Sequence, residues 1–200
     1  SGSLNWRSAD RNYEASINPY FTRVDDYIDA VAANAMWRPG QYNVLQYQNQ
    51  QADLKGVDLT LSANLFNNAS GQWQLAGSLS YIDAENTDSG AGLYNIIPMQ
   101  GRLSLSQQLA GWDNSLEWVF AGDKDDVSAI RNEMGTDSYS VFNLRLSHTW
   151  DQVRLDLGVE NLLDEFYYLP AGGTYVAQGS TMTMNGIPFG IGVPGMGRSL

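Results

Sequence analysis

The sequence predicts an all-β protein, a sector of an antiparallel transmembrane β-barrel. Segments with strand patterning are joined in turn by very short and by long connections. The short turns are residues 8–11, 67–71, 111–114 and 151–152, and the long connections are residues 30–48, 85–97, 123–137 and 165–195. A barrel of the outer-membrane type has short turns at its periplasmic end and long loops outside, so this alternation favours such a barrel.

Period-two alternation of apolar and polar residues supports the same fold in almost every segment. About seven full strands and two partial ones follow from it, the partial ones at residues 1–6 and 198–200. The apolar rows are Tyr13, Ala15, Ile17, Pro19 and Phe21; Val57, Leu59, Leu61, Ala63 and Leu65; Trp73, Leu75, Gly77, Leu79 and Tyr81; Leu103, Leu105 and Leu109; Leu116, Trp118 and Phe120; Phe142, Leu144 and Leu146; and Val153, Leu155, Leu157 and Val159.

Two folds can bury such rows, a soluble sandwich of two sheets or a barrel whose apolar face meets lipid. Strand length favours the barrel, because a tilted crossing needs about 9–11 residues. Tryptophan placement also favours it, since amphipathic rings gather at membrane interfaces. Trp6, Trp73, Trp112 and Trp150 all lie beside the short turns. A soluble β-sandwich that binds a ligand remains the alternative from another class.

Composition excludes several functions. The formal net charge is -11, with 11 Lys+Arg against 22 Asp+Glu, so no basic face is available for nucleic acid. The chain has no cysteine, which removes disulfides and thiolate metal sites. It also lacks a nucleophile elbow, and its single histidine has no evident partner, so an enzyme is not expected.

The segment Leu155-Asp-Leu-Gly-Val-Glu-Asn-Leu-Leu-Asp-Glu-Phe-Tyr resembles the penultimate strand of TonB-dependent outer-membrane receptors. Residues 18–28, 47–59 and 194–199 fit that family as well. The resemblance implies a 22-stranded barrel filled by an N-terminal plug. Residues 1–200 would then be the C-terminal part of the barrel, with plug domain, TonB box and final strand absent.

That resemblance also implies location and partners. The location is the outer membrane of a Gram-negative cell, and the partners are the TonB complex, the receptor's own plug, outer-membrane lipid and lipopolysaccharide. Residues 170–200 resemble the corresponding loop of TonB-dependent copper receptors, which implies energy-coupled import of a metal ion or metal complex, with copper as the transported ligand. Ferric siderophore uptake is the alternative within the same fold, and no bound cofactor is expected.

The methionines are candidate metal ligands, because thioether sulfur suits Cu(I). All six lie in a long connection or at the outer end of a strand, and the alternative is that they fill gaps between loops. The candidate ligands are Met36, Met134, Met182, Met184 and Met196.

A second predicted set faces the lumen and would hold the plug by hydrogen bonds and ion pairs. Its members lie on the polar faces opposite the apolar rows: Arg102, Glu117, Arg145, Arg154 and Glu160. His148 is expected to be an interface residue near a short turn. Asn161 and Asp164 are expected to end a strand and order the turn that follows.

Overall fold

The computed structural model describes residues 1–33, 45–131, 133–174 and 190–200, and these form one antiparallel sheet. Its order is β1-β2-β3-β4-β6-β7-β8-β9, and β5 pairs with β4. The strands are β1 (Leu4–Arg7), β2 (Tyr13–Ala32), β3 (Leu45–Asn68), β4 (Gly71–Asn86), β5 (Ala91–Gly92), β6 (Gln100–Leu109), β7 (Trp112–Ala121), β8 (Tyr139–Trp150) and β9 (Val153–Val159), with one 3₁₀ turn at Ala129–Arg131. The all-β antiparallel fold predicted from the sequence is therefore confirmed.

The pairing register carries the predicted apolar rows onto one face of the sheet. Trp6 pairs with Ala15, Ala15 with Leu61, and Leu61 with Gly77, and the row continues through Leu103 and Trp118. Because successive side chains of a strand point to opposite faces, the polar residues between them share the other face.

No second sheet covers the apolar face within the described part of the chain. Its large side chains are exposed: Leu61 is 43% exposed, Leu157 59% and Val153 62%. A sandwich would bury these side chains in a core about 10 Å thick. The sandwich alternative is thus wrong, and a face of this kind fits a hydrocarbon surrounding. None of the described helical turns is long and apolar enough to cross a membrane.

Aromatic side chains mark the end of the apolar face that lies at the short turns. Phe66 contacts Trp73 with ring centroids 5.8 Å apart, and His148 lies between Trp112 at 4.5 Å and Trp150 at 4.2 Å. The predicted row in β3 ended on Leu65, but a β-bulge between Asn64 and Phe66 places Phe66 opposite Trp73 instead.

Strands β2, β3 and β4 extend well beyond the apolar face. On β4 the apolar row runs from Trp73 to Tyr81, nine residues, which matches one tilted crossing. Beyond that row the sheet continues, so Ala30–Ala32 and residues 45–48, predicted as loop, are strand. A small core of Ala52, Ala84 and Leu93 packs in this extension.

The short turns have local causes that the sequence shows. In the turn before β2, the carboxylate of Asp10 accepts hydrogen bonds from Ser8 Oγ and from the side chain and backbone of Asn12, which lower its pKa. Gly71 has φ +106° and lies against the Gln108 carbonyl, so a side chain there would be both strained and crowded.

We expect Leu61→Arg to destabilise the protein of full natural length by about 2–4 kcal/mol in lipid vesicles, the cost of a cation at mid-bilayer. Ser62→Arg on the opposite face is the matched control and should cost much less. Urea titration of the vesicle-inserted protein measures both, and equal costs would contradict the assignment of the two faces.

Candidate functional site

The polar face of the sheet carries cross-strand ion pairs. Arg102 Nε lies 3.3 Å from Glu117 Oε2, and Arg145 Nη2 lies 3.6 Å from Glu160 Oε1. The register puts all five predicted lumen residues on this face, since Ser104 pairs with Glu117, Ser115 with Arg145 and Thr149 with Arg154. They therefore lie on the side of the sheet opposite the apolar face.

Arg154 has three polar side chains as partners on this face. Its Nε donates to Asp156 Oδ1 at 2.8 Å, its Nη2 donates to Ser147 Oγ at 2.9 Å, and Asp113 lies 3.7 Å from its Nη1. About half of this side chain stays exposed, so donor capacity remains for a further acceptor.

At the outer end of the sheet, a buried ion pair joins three connections. Lys124 Nζ lies 2.7 Å from Glu133 Oε1, and the two side chains are 3% and 7% exposed. Lys124 also donates to the carbonyl of Pro170 at 2.8 Å. The carboxylate of Glu133 accepts the backbone N–H groups of Asn95 and Ser128 at 2.8 and 2.7 Å. Since a buried charge must be paired and hydrogen-bonded, this pair fixes the three connections relative to one another.

Arg131 links these three connections to β2. Its Nη2 lies 3.4 Å from Asp29 Oδ1, and its guanidinium lies 4.8 Å from the ring centroid of Tyr94. Asp29 in turn accepts a hydrogen bond from Asn86 Nδ2 at 3.1 Å. Such a cation over an aromatic face is favourable even without full burial.

Between these connections lies a cavity of about 430 Å³. Its wall includes Tyr94, Arg131, Met134, Thr136 and Leu169. Within the part of the chain that the structure describes, Arg131 Nε and Thr136 Oγ1 are buried and have no hydrogen-bond partner. Sequence reasoning missed Lys124, Glu133 and Arg131, although Lys124 is conspicuous as a lone base among the aspartates of residues 123–126.

The structure describes two of the five predicted methionine ligands, Met134 and Met196. Met134 lies in the cavity wall against Gly192, so closely that a side chain at position 192 would collide with it. Met196 is 61% exposed beside Asn161, which donates to its carbonyl at 3.0 Å. Met36, Met182 and Met184 lie outside the described residues. The described residues contain no group of three or more His, Asp or Glu side chains that could hold a metal.

Asn161 and Asp164 have the structural role expected for them. Asn161 has φ +50°, and its side chain donates to Glu165 O and accepts from Glu165 N. Asp164 accepts the backbone N–H of Arg198 at 2.9 Å. Together they end β9 and hold residues 196–198 against the turn. His148, predicted to be an interface residue, lies between two tryptophans on the apolar face.

A single antiparallel sheet with an exposed apolar face, an aromatic rim and a polar opposite face defines a piece of an outer-membrane β-barrel wall. The family model "TonB dependent receptor-like, beta-barrel" matches residues 1–162. The chain therefore belongs to the TonB-dependent receptor family, whose members are transport receptors and not enzymes, as the sequence predicted.

Solved receptor structures share this fold at low sequence identity. The copper transporter OprC has a TM-score of 0.80 and 21% identity, covering 98% of this chain and 29% of that chain. The ferric-catecholate import receptor Fiu from K12 E. coli has a TM-score of 0.61 and 16% identity, covering 97% and 25%. The siderophore receptor PiuA from Acinetobacter baumannii has a TM-score of 0.64 and 14% identity, covering 98% and 26%. No curated protein matches the sequence. The chain thus spans about 29% of the length of OprC.

We expect Glu133→Gln to loosen the outer connections, because it leaves the buried Lys124 ammonium without its counter-charge. Breaking a buried pair costs about 3–5 kcal/mol, so the amides of Asn95 and Ser128 should exchange roughly 100-fold faster or more. Hydrogen exchange read by mass spectrometry measures this, with Asp125→Asn, exposed in the same connection, as the control. Unchanged protection at both amides would contradict the anchoring role of the pair.

Proposed function

We propose that this chain forms barrel wall of a receptor that imports a metal or metal complex, with copper as the cargo. Residues 1–200 would be the C-terminal part of that barrel. Uptake would be driven by the TonB complex, acting on a plug domain inside the barrel. The outer connections capture the cargo, and the outer membrane is the location that membership of the family supports.

The observation that supports copper as the cargo is the position of Met134. Its thioether lies in the wall of the outer cavity, the place where a ligand from outside first meets this chain. Thioether sulfur is a soft ligand that suits Cu(I) and has little affinity for Fe(III). The fold likeness to OprC, with a TM-score of 0.80, supports the same cargo. Met182, Met184, Met196 and Met36 are the further ligand candidates from the sequence.

The polar face supports the part of the proposal that concerns the plug. Arg102, Glu117, Arg145, Arg154 and Glu160 keep exposed charge on the side away from the apolar face. An internal domain packed there would satisfy these groups by charge-assisted hydrogen bonds. Each pair is already internally compensated, so such a domain can detach without leaving an isolated charge.

A ferric siderophore is the second candidate, and Arg131 favours it. Its guanidinium lines the cavity and lies over Tyr94, and its Nε has no hydrogen-bond partner among the residues that the structure describes. A cation on an aromatic platform suits an anionic chelate with planar rings.

The test is Cu(I) binding to the protein of full natural length, purified in detergent. Met134→Leu should weaken binding about tenfold or more, since changes in or beside a metal's ligand set cost about 10–100-fold. Met182→Leu with Met184→Leu, Met196→Leu alone and Met36→Leu alone test the other candidates. Met99→Leu is the control, because Met99 lies at the outer end of β6 and does not line the cavity.

Equal copper binding by every methionine variant and by the wild type would show that the copper ligands lie outside this chain. If the wild-type protein binds no Cu(I) at all, the copper proposal fails. Binding of a ferric catecholate that Arg131→Gln abolishes would then establish the siderophore alternative.

A further inference from the structure

The outer cavity is larger than a bare metal ion needs. Its volume of about 430 Å³ lies within the range of about 300–1,000 Å³ that pockets for small molecules occupy. Tyr94 and Leu169 give its wall carbon surface. Arg131, Thr136 and Met134 add a cation, a hydroxyl and a thioether. Apolar surface with a few polar groups is typical of a site that holds an organic molecule.

The charges of the cavity wall favour an anionic group. Among the described residues that line it, the charged ones are Lys124, Arg131 and Glu133. Both carboxylate oxygens of Glu133 already accept hydrogen bonds, Oε1 from Lys124 Nζ and the Asn95 N–H, and Oε2 from the Ser128 N–H. Lys124 and Glu133 therefore compensate each other, and Arg131 supplies the remaining charge of the wall.

Arg131 is held by contacts that leave part of its guanidinium unused. Asp29, which does not line the cavity, lies 3.4 Å from Nη2, a long contact, and also accepts a hydrogen bond from Asn86 Nδ2. The ring centroid of Tyr94 lies 4.8 Å from the guanidinium and helps to fix its position. Its Nε is buried without a hydrogen-bond partner in the described part of the chain. Because a guanidinium only donates hydrogen bonds, the partner that Nε needs is an acceptor.

Thr136 provides a second unsatisfied group in the same wall. This residue is 7% exposed, and its Oγ1 has no hydrogen-bond partner among the residues that the structure describes. Backbone hydrogen bonds of 2.8 and 3.2 Å join Thr136 to Lys124 in both directions, so its position is fixed. A buried hydroxyl without a partner costs free energy and is rare in folded proteins. A bound group that accepts from both Thr136 and Arg131 would remove this cost.

We propose that the outer cavity binds copper as a complex with a small organic ligand that carries a carboxylate. The carboxylate accepts hydrogen bonds from Arg131 and Thr136, the carbon skeleton lies against Tyr94, and the thioether of Met134 contacts the metal. A carboxylate fits better than a phosphate, because it is planar like the guanidinium and carries a single charge. This inference rests on the proposed function and names the chemical form of its cargo.

The test compares copper complexes that differ in one group. The probes are equimolar Cu(I) complexes of bipyridine that carries a carboxylate in either the para or the meta position of one ring, each compared with the matching carboxamide. Equilibrium dialysis against the protein of full natural length in detergent measures their affinities. A carboxylate complex should bind about tenfold more tightly than its carboxamide, because a hydrogen bond to a charged group contributes about that factor.

Substitutions assign the preference to its residues. Arg131→Gln should abolish the preference for the carboxylate. Thr136→Val should reduce it about fivefold, the contribution of one hydrogen bond, and it leaves the ion pairs of the connections intact if Arg131→Gln disturbs them. Met134→Leu should weaken both complexes alike and leave the preference unchanged. Arg198→Gln is the control, because Arg198 is a half-exposed cation that does not line the cavity, and it should change neither affinity.

Two results would overturn this proposal while the proposed function stands. One is equal affinity of the wild type for the carboxylate and carboxamide complexes at both ring positions. The other is a preference for the carboxylate that survives both Arg131→Gln and Thr136→Val. In either case, copper binding that Met134→Leu weakens would still support copper as the cargo. If the wild type binds copper in no form, the proposed function fails and this inference fails with it.

Discussion

The structure depends on one constraint: in hydrocarbon every backbone N–H and C=O must find a partner within the protein. Here β2, β3, β4, β6, β7 and β8 meet this need by pairing with neighbours on both sides. The continuous ladder then fixes which residues face outward, because a slip of one residue would turn every side chain of a strand to the wrong face. Exposed Leu61 and Leu157 are consequences of that ladder, and they would be unfavourable in water.

The outer end of the chain meets a different constraint. There the apolar residues form only a small core around Leu93. A buried ion pair, Lys124 with Glu133, holds the connections together by satisfying backbone groups from three of them at once. The ion pair of Arg131 with Asp29 links these connections to β2. The cavity is shaped by polar contacts between specific partners, so removal of one partner leaves another buried polar group unsatisfied.

Much of the barrel wall could be predicted from residue order. Period-two alternation gave the strands, and the turn residues gave the positions where β8 ends and β9 begins. The strand boundaries were predicted wrongly where the alternation of apolar and polar residues is too short or too irregular to reveal the strand. Residues 45–48 were assigned to a loop because their alternation of Leu45 and Tyr47 with two glutamines is too short to establish a strand and runs into the polar residues 49–51. Leu65 was assigned to the apolar row because a bulge shifts the register without any local sequence signal. The residues predicted to face the lumen could be assigned to the polar face because each lies one position from an apolar neighbour.

The sequence by itself determined the class of fold, the two faces and the positions of the short turns, because these follow from local periodicity and turn chemistry. Only the tertiary structure decided which charged residues meet. Glu133 reaches Asn95 and Lys124 reaches Pro170 across 38 and 46 residues of sequence, and Arg23 meets Asp53 because of the β2–β3 register. Such contacts depend on how the connections pack above the sheet, and no pattern within a single segment encodes that packing.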